Sequence, residues 1–273
     1  MEKAALELLQ QTANIPAVLE AAAKATPFAP MVVLPVGYEL KDLEESMPFR
    51  KSYRGLFDTD SIVDYANYVK LFDQDGAKCF INSESMSART TFDLGNIAFP
   101  GHQKHKAKLA LSKTAAYEAI LEMNGRKVDQ KGMSEFLEDW ADFVRCVGIN
   151  GEPLTANQAA SAVRKITIEA VRKLDSEVGD FSASMTALEK VEATSSMIMP
   201  SIVIFTCKPY PDLSEREFTC RLNILTGSEK PTMVLRILQL EALKESMTVE
   251  FKDLIVEGLK ELECKTQTFI GNF

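Results

Sequence analysis

The sequence predicts an α+β protein with mixed, mainly antiparallel sheets, packed helices and a C-terminal meander–helix–strand unit. Three observations carry that expectation. Helical and strand-like segments come in blocks rather than in strict βαβ alternation. Phe218, Cys220, Leu222 and Ile224 alternate with Thr219, Arg221 and Asn223, the period-2 signature of a half-buried strand. Leu243, Met247, Phe251, Leu254, Ile255, Leu259 and Leu262 make a stripe at helical spacing.

Taken in order, Ala- and Leu-rich residues 2–25 read as a helical segment, with Pro16 at a second first turn or at a kink. Thr26-Pro27 and Ala29-Pro30 stop it, because a residue before proline avoids the α region. Residues 1–29 are therefore set apart as a helical arm. Residues 30–273 are expected to form one domain, with room for a sub-boundary near 150–180. Met31–Leu34 reads as a short strand. Asp58 to Ser61 is a cap-rich entry to a helix over 61–72, with Ile62, Tyr65, Ala66, Val69 and Phe72 on its apolar face. Asp75-Gly76 marks a turn, and Cys79–Ile81 a strand. Residues 90–99 and 105–111 read as two strands about Pro100-Gly101.

The middle reads as helical. Met133, Phe136, Leu137, Trp140, Phe143, Val144 and Val147 share one helix face, with Glu135, Glu138, Asp139 and Asp142 turned to water. Thr155 and Gln158 form a capping-box pattern for a helix over 156–176. Ile202–Cys207 and residues 218–224 read as strands, Thr226–Ser228 as a turn and Thr232–Leu240 as a further strand. The helical stripe follows, then a closing strand over 263–270. Residues 200–272 are expected to share one sheet with that helix packed on it.

Composition excludes several classes. With 31 Lys and Arg against 39 Asp and Glu, the net charge is −8, so a chain that coats DNA along its whole surface is ruled out. No apolar run is long enough to span a bilayer, and the start MEKAALELLQQ lacks the pattern of a secretory signal. The five cysteines (Cys79, Cys146, Cys207, Cys220, Cys264) form no CxxC and sit mostly in apolar segments. They read as buried free thiols in a reducing, cytoplasmic compartment. GxSxG, P-loop and GxGxxG patterns are missing. The acids Asp212 and Glu250 with Lys252 mimic a nuclease pattern, but Glu250 and Lys252 are two apart on a helix and do not share a face. Neither catalytic residues nor a cofactor is assigned, and binding rather than catalysis is expected.

Two regions are singled out for contact with other molecules. Residues 99–131 hold seven Lys and Arg against three acids, with both histidines of the chain. Lys104, Lys106 and Lys108 alternate, so on a strand they would share one face, and with His102 and His105 they are the candidate anion or nucleic-acid contact. The alternative is an edge strand guarded by lysines. His102, His105 and Asp93 are too few and too poorly spaced for a metal site, and none is expected. With about three aligned lysines, binding to duplex DNA should be weak, with a salt slope of roughly −3 or shallower. Glu135, Glu138, Asp139 and Asp142 are the candidate acidic partner-binding face.

The run Val32-Val-Leu-Pro-Val-Gly-Tyr-Glu-Leu-Lys-Asp-Leu-Glu44 resembles the signature of the YfdQ-like family of phage and prophage proteins. Further similar segments follow in order: Phe57-Asp-Thr-Asp-Ser-Ile-Val-Asp-Tyr65, Gly101-His-Gln-Lys-His-Lys-Ala107, Ser134-Glu-Phe-Leu-Glu-Asp139, Arg221-Leu-Asn223 and Phe269-Ile-Gly-Asn272. Lys106 stands where that family commonly has arginine, which replaces a bidentate contact by a point charge. The resemblance implies an early or accessory phage protein of the bacterial cytoplasm, without catalytic residues to carry over. From that setting we expect a homo-oligomer that works by binding and self-assembly. Two alternatives stand beside it: an anti-defence or host-takeover inhibitor that engages a host or phage protein through the acidic face, and an accessory factor or enzyme of phage DNA recombination or replication that uses the basic island.

Overall fold

The structure, a computed structural model, describes residues 52–166, 197–225 and 232–273, together with Pro16, Glu44 and residues 48–50. The expected arm helix, the strand at 31–34, the turn at 226–228 and the second half of the 156–176 helix lie outside the described residues. The chain divides into two units, Met1–Tyr53 and Arg54–Phe273. The second unit contains five α-helices and two sheets, eleven strands in all, among the described residues.

The first sheet joins β1 (Gly55–Thr59), β2 (Lys78–Asn82), β3 (Ser87–Thr91), β4 (His105–Ala110) and β11 (Gln267–Ile270) in the order β1-β4-β3-β2-β11. Strands β2, β3 and β4 form an antiparallel meander, while β1 runs parallel to β4 and β11 parallel to β2. Helix α1 (Ile62–Leu71) follows β1 and starts where expected: Ser61 is its N-cap, and its side chain accepts from the Asp64 amide at 3.2 Å. Asp212 secures the same end by accepting from the Ile62 amide at 2.7 Å. The helix buries Ile62, Tyr65, Ala66 and Val69. The Tyr65 hydroxyl sits 2.7 Å from Thr90 Oγ1 and 3.3 Å from Cys79 Sγ, so its polar end has partners inside the core.

The second sheet is wholly antiparallel. It joins β5 (Lys127–Asp129), β6 (Val144–Gly148), β7 (Pro153–Thr155), β8 (Pro200–Cys207), β9 (Arg216–Leu225) and β10 (Thr232–Ile237) in the order β5-β10-β9-β8-β6-β7. The alternation read in β9 sends Phe218, Cys220, Leu222 and Ile224 to the core. Helices α2 (Ala115–Met123), α3 (Gln130–Asp139) and α4 (Ala156–Arg164) pack with this sheet. The capping box of Thr155 and Gln158 forms as expected at the start of α4.

Helix α5 (Leu240–Glu261) corrects the C-terminal expectation. Its fully packed residues are Met247, Phe251, Ile255 and Leu259, one row at four-residue intervals, while Leu243, Leu254 and Leu262 are half-buried flanks. At about 1.5 Å per residue, its 22 residues carry the chain roughly 33 Å. Strand β11 therefore joins the first sheet, beside β2, and not the sheet of β8, β9 and β10. That strand is also shorter than expected, because residues 262–266 form the turn that leaves the helix. At the other end, β10 stops at Ile237, and Gln239, in a left-handed conformation, opens α5.

The expected single helix over 133–147 is also corrected. Helix α3 ends at Asp139, a 3₁₀ turn covers Ala141–Phe143, and Val144–Gly148 is strand β6. The apolar stripe is real, since Phe136, Trp140 and Phe143 all pack on Phe205. But Val144-Arg145-Cys146 also alternates, and pairing with β8 decides it as strand. Helix α2 was not anticipated, although Thr114 caps it and Ala116, Tyr117, Ile120 and Met123 give its buried face.

Candidate nucleic-acid interface

Cross-strand register assembles the most distinctive surface. In a pleated sheet, paired residues point to the same side. The pairings align Asp58, Lys108, Arg89, Phe80 and Phe269 in one row across all five strands of the first sheet. The adjacent row is Leu56, Lys106, Thr91, Lys78 and Gln267. The intervening residues Cys79, Ile81, Ala88, Thr90, Ala107 and Leu109 are buried on the opposite face, toward the core. The two rows thus form the outer face, cationic around β4 and β3 and aromatic around β2 and β11.

This face carries Lys78, Arg89, Lys106 and Lys108 against one carboxylate, that of Asp58, which Lys108 contacts at 3.1 Å. The exposed pair recovers little stability and holds Lys108 in place at most weakly. On the aromatic side, Phe80 stacks on Phe273 with ring centroids 4.5 Å apart, and on Phe269 at 5.6 Å. Residues 271–273 fold back across β2: the Gly271 amide donates to the Ile81 carbonyl, and Asn82 Nδ2 to Asn272 Oδ1 at 2.6 Å. Arg89 Nη1 donates to the Phe273 carbonyl at 3.2 Å. Phe80, Arg89, Lys108, Asn272 and Phe273 line a depression of about 290 Å³. Phe269 and Phe273 remain 45% and 55% exposed, so ring faces stay available for stacking. The buried Thr91 hydroxyl, in the adjacent row, makes no hydrogen bond.

The candidate residues from the basic island separate. Lys106 and Lys108 sit on the outer face. Strand β4 lies between β1 and β3, so the guarded-edge alternative is corrected. Lys104 precedes the strand and is exposed, as is His102. His105 faces the core, with its ring between those of Phe72 and Phe92 and its Nε2 3.1 Å from the Tyr68 hydroxyl. Burial lowers its pKa, partly opposed by Asp93, so it packs as a neutral imidazole. Asp93 spends its carboxylate on the amides of Lys104 and His105, at 2.9 and 3.1 Å. Among the described residues, no group of three or more His, Cys, Asp or Glu is placed to hold a metal ion.

The four acids divide as well. Glu138 meets Arg164 with both carboxylate oxygens, and Glu135 lies 3.6 Å from Lys131. Asp139 and Asp142 are exposed with no ion pair among the described residues. Glu250 accepts from the amide and hydroxyl of Ser214 and pairs with Arg216, and Asp212 caps α1. Both acids of the nuclease-like pattern thus have structural partners. Sequence reasoning missed Phe80, Arg89, Phe269 and Phe273. Alternation around β2 and β3 hinted at their faces, but no local signal sets one strand beside another.

All five cysteines are free thiols, four of them buried. Burial pushes Cys146, Cys207 and Cys220 up to about 12, from an ordinary value of 9.0. A raised folded-state pKa gives stability that is full below the unfolded pKa and lost as pH rises toward the folded one. We therefore expect urea midpoints to fall between pH 9 and 11, and Cys146→Ala to flatten that fall. A thiol reagent at pH 8 should label half-buried Cys264 first. Rapid labelling of all five in the native protein would contradict this packing.

The fold and this face define a two-sheet α+β protein whose first sheet presents exposed Arg89 and Phe269 beside half-buried Lys78, Phe80, Lys106 and Lys108, with Thr91 buried among them. Among the described residues, no helix is long and apolar enough to cross a membrane. Comparison with protein families matches residues 2–273 to the family described as an uncharacterized conserved protein (DUF2303), and the chain belongs to that family. Comparisons with curated proteins and with solved structures gave no match.

Proposed function

We propose that the protein is a phage or prophage accessory protein of the bacterial cytoplasm. In this reading it acts by binding and self-assembly, and the outer face of the first sheet contacts single-stranded nucleic acid during phage DNA metabolism. The ordered similarity to the YfdQ-like family supports the setting. The row Lys108, Arg89, Phe80 and Phe269 is the single observation that carries the ligand class. Single strands offer unstacked bases to aromatic rings and phosphates to nearby cations, which is the pairing this row provides. Duplex DNA hides its base faces and would meet only the cations. The acidic-face reading is less supported, because Glu138 and Glu135 already have basic partners.

The test is fluorescence anisotropy with an oligothymidine single strand and a matched duplex at several salt concentrations. With four cations on the face, the single-strand slope of log K against log salt should be about −3 or shallower, and affinity modest. The single strand should outcompete the duplex. Arg89→Ala with Lys106→Ala and Lys108→Ala should weaken single-strand binding about tenfold or more and flatten the slope. Phe269→Ala should weaken binding while leaving the slope unchanged. No binding at low salt, or binding that survives both sets of changes, would refute this reading.

A further inference from the structure

Phe80 and Arg89 are cross-strand partners, and Asn82, two positions along β2, projects from the same face of the first sheet. Each of the three meets the residues that fold back over β2. The Phe273 ring lies on the Phe80 ring, 10° from parallel with centroids 4.5 Å apart. Arg89 Nη1 donates to the Phe273 carbonyl at 3.2 Å. Asn82 Nδ2 donates to Asn272 Oδ1 at 2.6 Å, while its own Oδ1 accepts from the Ser85 amide at 3.2 Å and so keeps the donor end outward. A flat ring on Phe80, an acceptor oxygen on Arg89 and a second acceptor on Asn82 are what one nucleotide brings: its base, its phosphate and the polar edge of the base.

The fold-back is held lightly. Residues 271–273 are all exposed, and their backbone tie to β2 is the Gly271 amide on the Ile81 carbonyl at 2.8 Å. Exposed bonds of this kind open easily, because water replaces either partner. Arg89 gains in the exchange, since its present acceptor is a neutral carbonyl and a phosphate oxygen carries charge. Lys108 lines the same depression and brings a second cation to it. Gly271 sets the direction of the fold-back: its φ is +138°, where L side chains are strained, although a Cβ there would meet nothing within 4 Å.

We infer that Phe80, Arg89 and Asn82 form a subsite for one nucleotide, and that residues 271–273 fill it as a built-in competitor that a bound single strand displaces. This rests on the nucleic-acid reading proposed above and gives it a place for one base and one phosphate. It also separates two rings that both stack on Phe80. Phe269 belongs to a strand of the sheet and extends the stacking platform, whereas Phe273 covers it.

Fluorescence anisotropy with an oligothymidine single strand at low salt tests this on the unaltered chain, Phe273→Ala and Gly271→Ala. The first change deletes the covering ring. The second leaves Asn272 and Phe273 in place and strains only the backbone that brings them over β2. A covered subsite lowers apparent affinity by the fraction of time it is open, so both changes should tighten binding about three- to tenfold. Phe80→Ala should weaken binding about tenfold and cancel the gain from Phe273→Ala, because the ring that the base would take is then gone. Hydrogen exchange at the Gly271 amide should speed up when oligothymidine saturates the protein. If the unaltered chain binds but neither variant binds more tightly, or if the Gly271 amide becomes more protected on binding, the competitor role is overturned and the nucleic-acid reading stands. No binding by any of these proteins would overturn that reading and the subsite with it.

Discussion

Phe251→Ala is expected to lower the unfolding free energy by about 3–5 kcal/mol, the usual range for truncating a buried aromatic residue. Phe251 is fully buried, in the α5 row with Met247, Ile255 and Leu259. Helix α5 packs on α1, where a Cβ added at Gly258 would lie 4.0 Å from that of Ala66. Both helices are continuous with one core, so a cavity at Phe251 has walls that cannot collapse without moving secondary structure. Val249, on the same helix but 52% exposed, supplies the control, and Val249→Ala should change stability by less than about 0.5 kcal/mol. Urea titration of both variants is the measurement. A Phe251→Ala loss below about 1 kcal/mol would mean that α5 is not anchored by this row.

Asp73→Ala is expected to cost about 2–4 kcal/mol and to loosen β11. The Asp73 carboxylate, just past the end of α1, accepts from the Lys265 amide at 2.6 Å, the Thr266 amide at 3.0 Å and the Thr266 hydroxyl at 2.7 Å. Hydrogen bonds to a charged acceptor contribute about 1.5–3 kcal/mol each, and three that share one carboxylate do not add in full. Thr266 is buried, so its hydroxyl would lose its acceptor without gaining water. Residues 265–266 lead straight into β11, an edge strand held to the sheet by β2. Hydrogen exchange should show faster opening of the β11 amides in the variant, with the amides of β8 and β9 shifted only by the global change. Because β11 carries Phe269, single-strand binding should weaken in parallel. Unchanged exchange in β11 would show that the strand is held by its ladder alone.

The elements that could be read beforehand depend on residues close in sequence. Ser61 caps α1 through an amide three residues on, and Thr155 and Gln158 close their box over the same distance. The alternation of β9 needs only that one face be buried. Misreadings arose where two local patterns overlapped. Val144 and Val147 fit both a helical stripe and a strand, and the pairing of Val144 with Phe205, 61 positions away, resolved them. The site was half legible. Lys106 and Lys108 stood out by alternation, while His105, grouped with them by proximity in the chain, turned to the opposite face because successive residues on a strand must.

The α+β class, the helix starts at Ser61 and Thr155, the buried face of β9 and the free, buried character of most cysteines are written in the chain. Each follows from side-chain chemistry and spacing within a few residues. That β11 crosses to the first sheet, and that Lys108, Arg89, Phe80 and Phe269 share one row, emerges once the whole chain is packed. Phe80 and Phe269 are 189 positions apart, and nothing within either strand specifies the other. Their register is set by which strands the packed helices bring together, since a shift of one residue would turn every side chain of β11 to the opposite face.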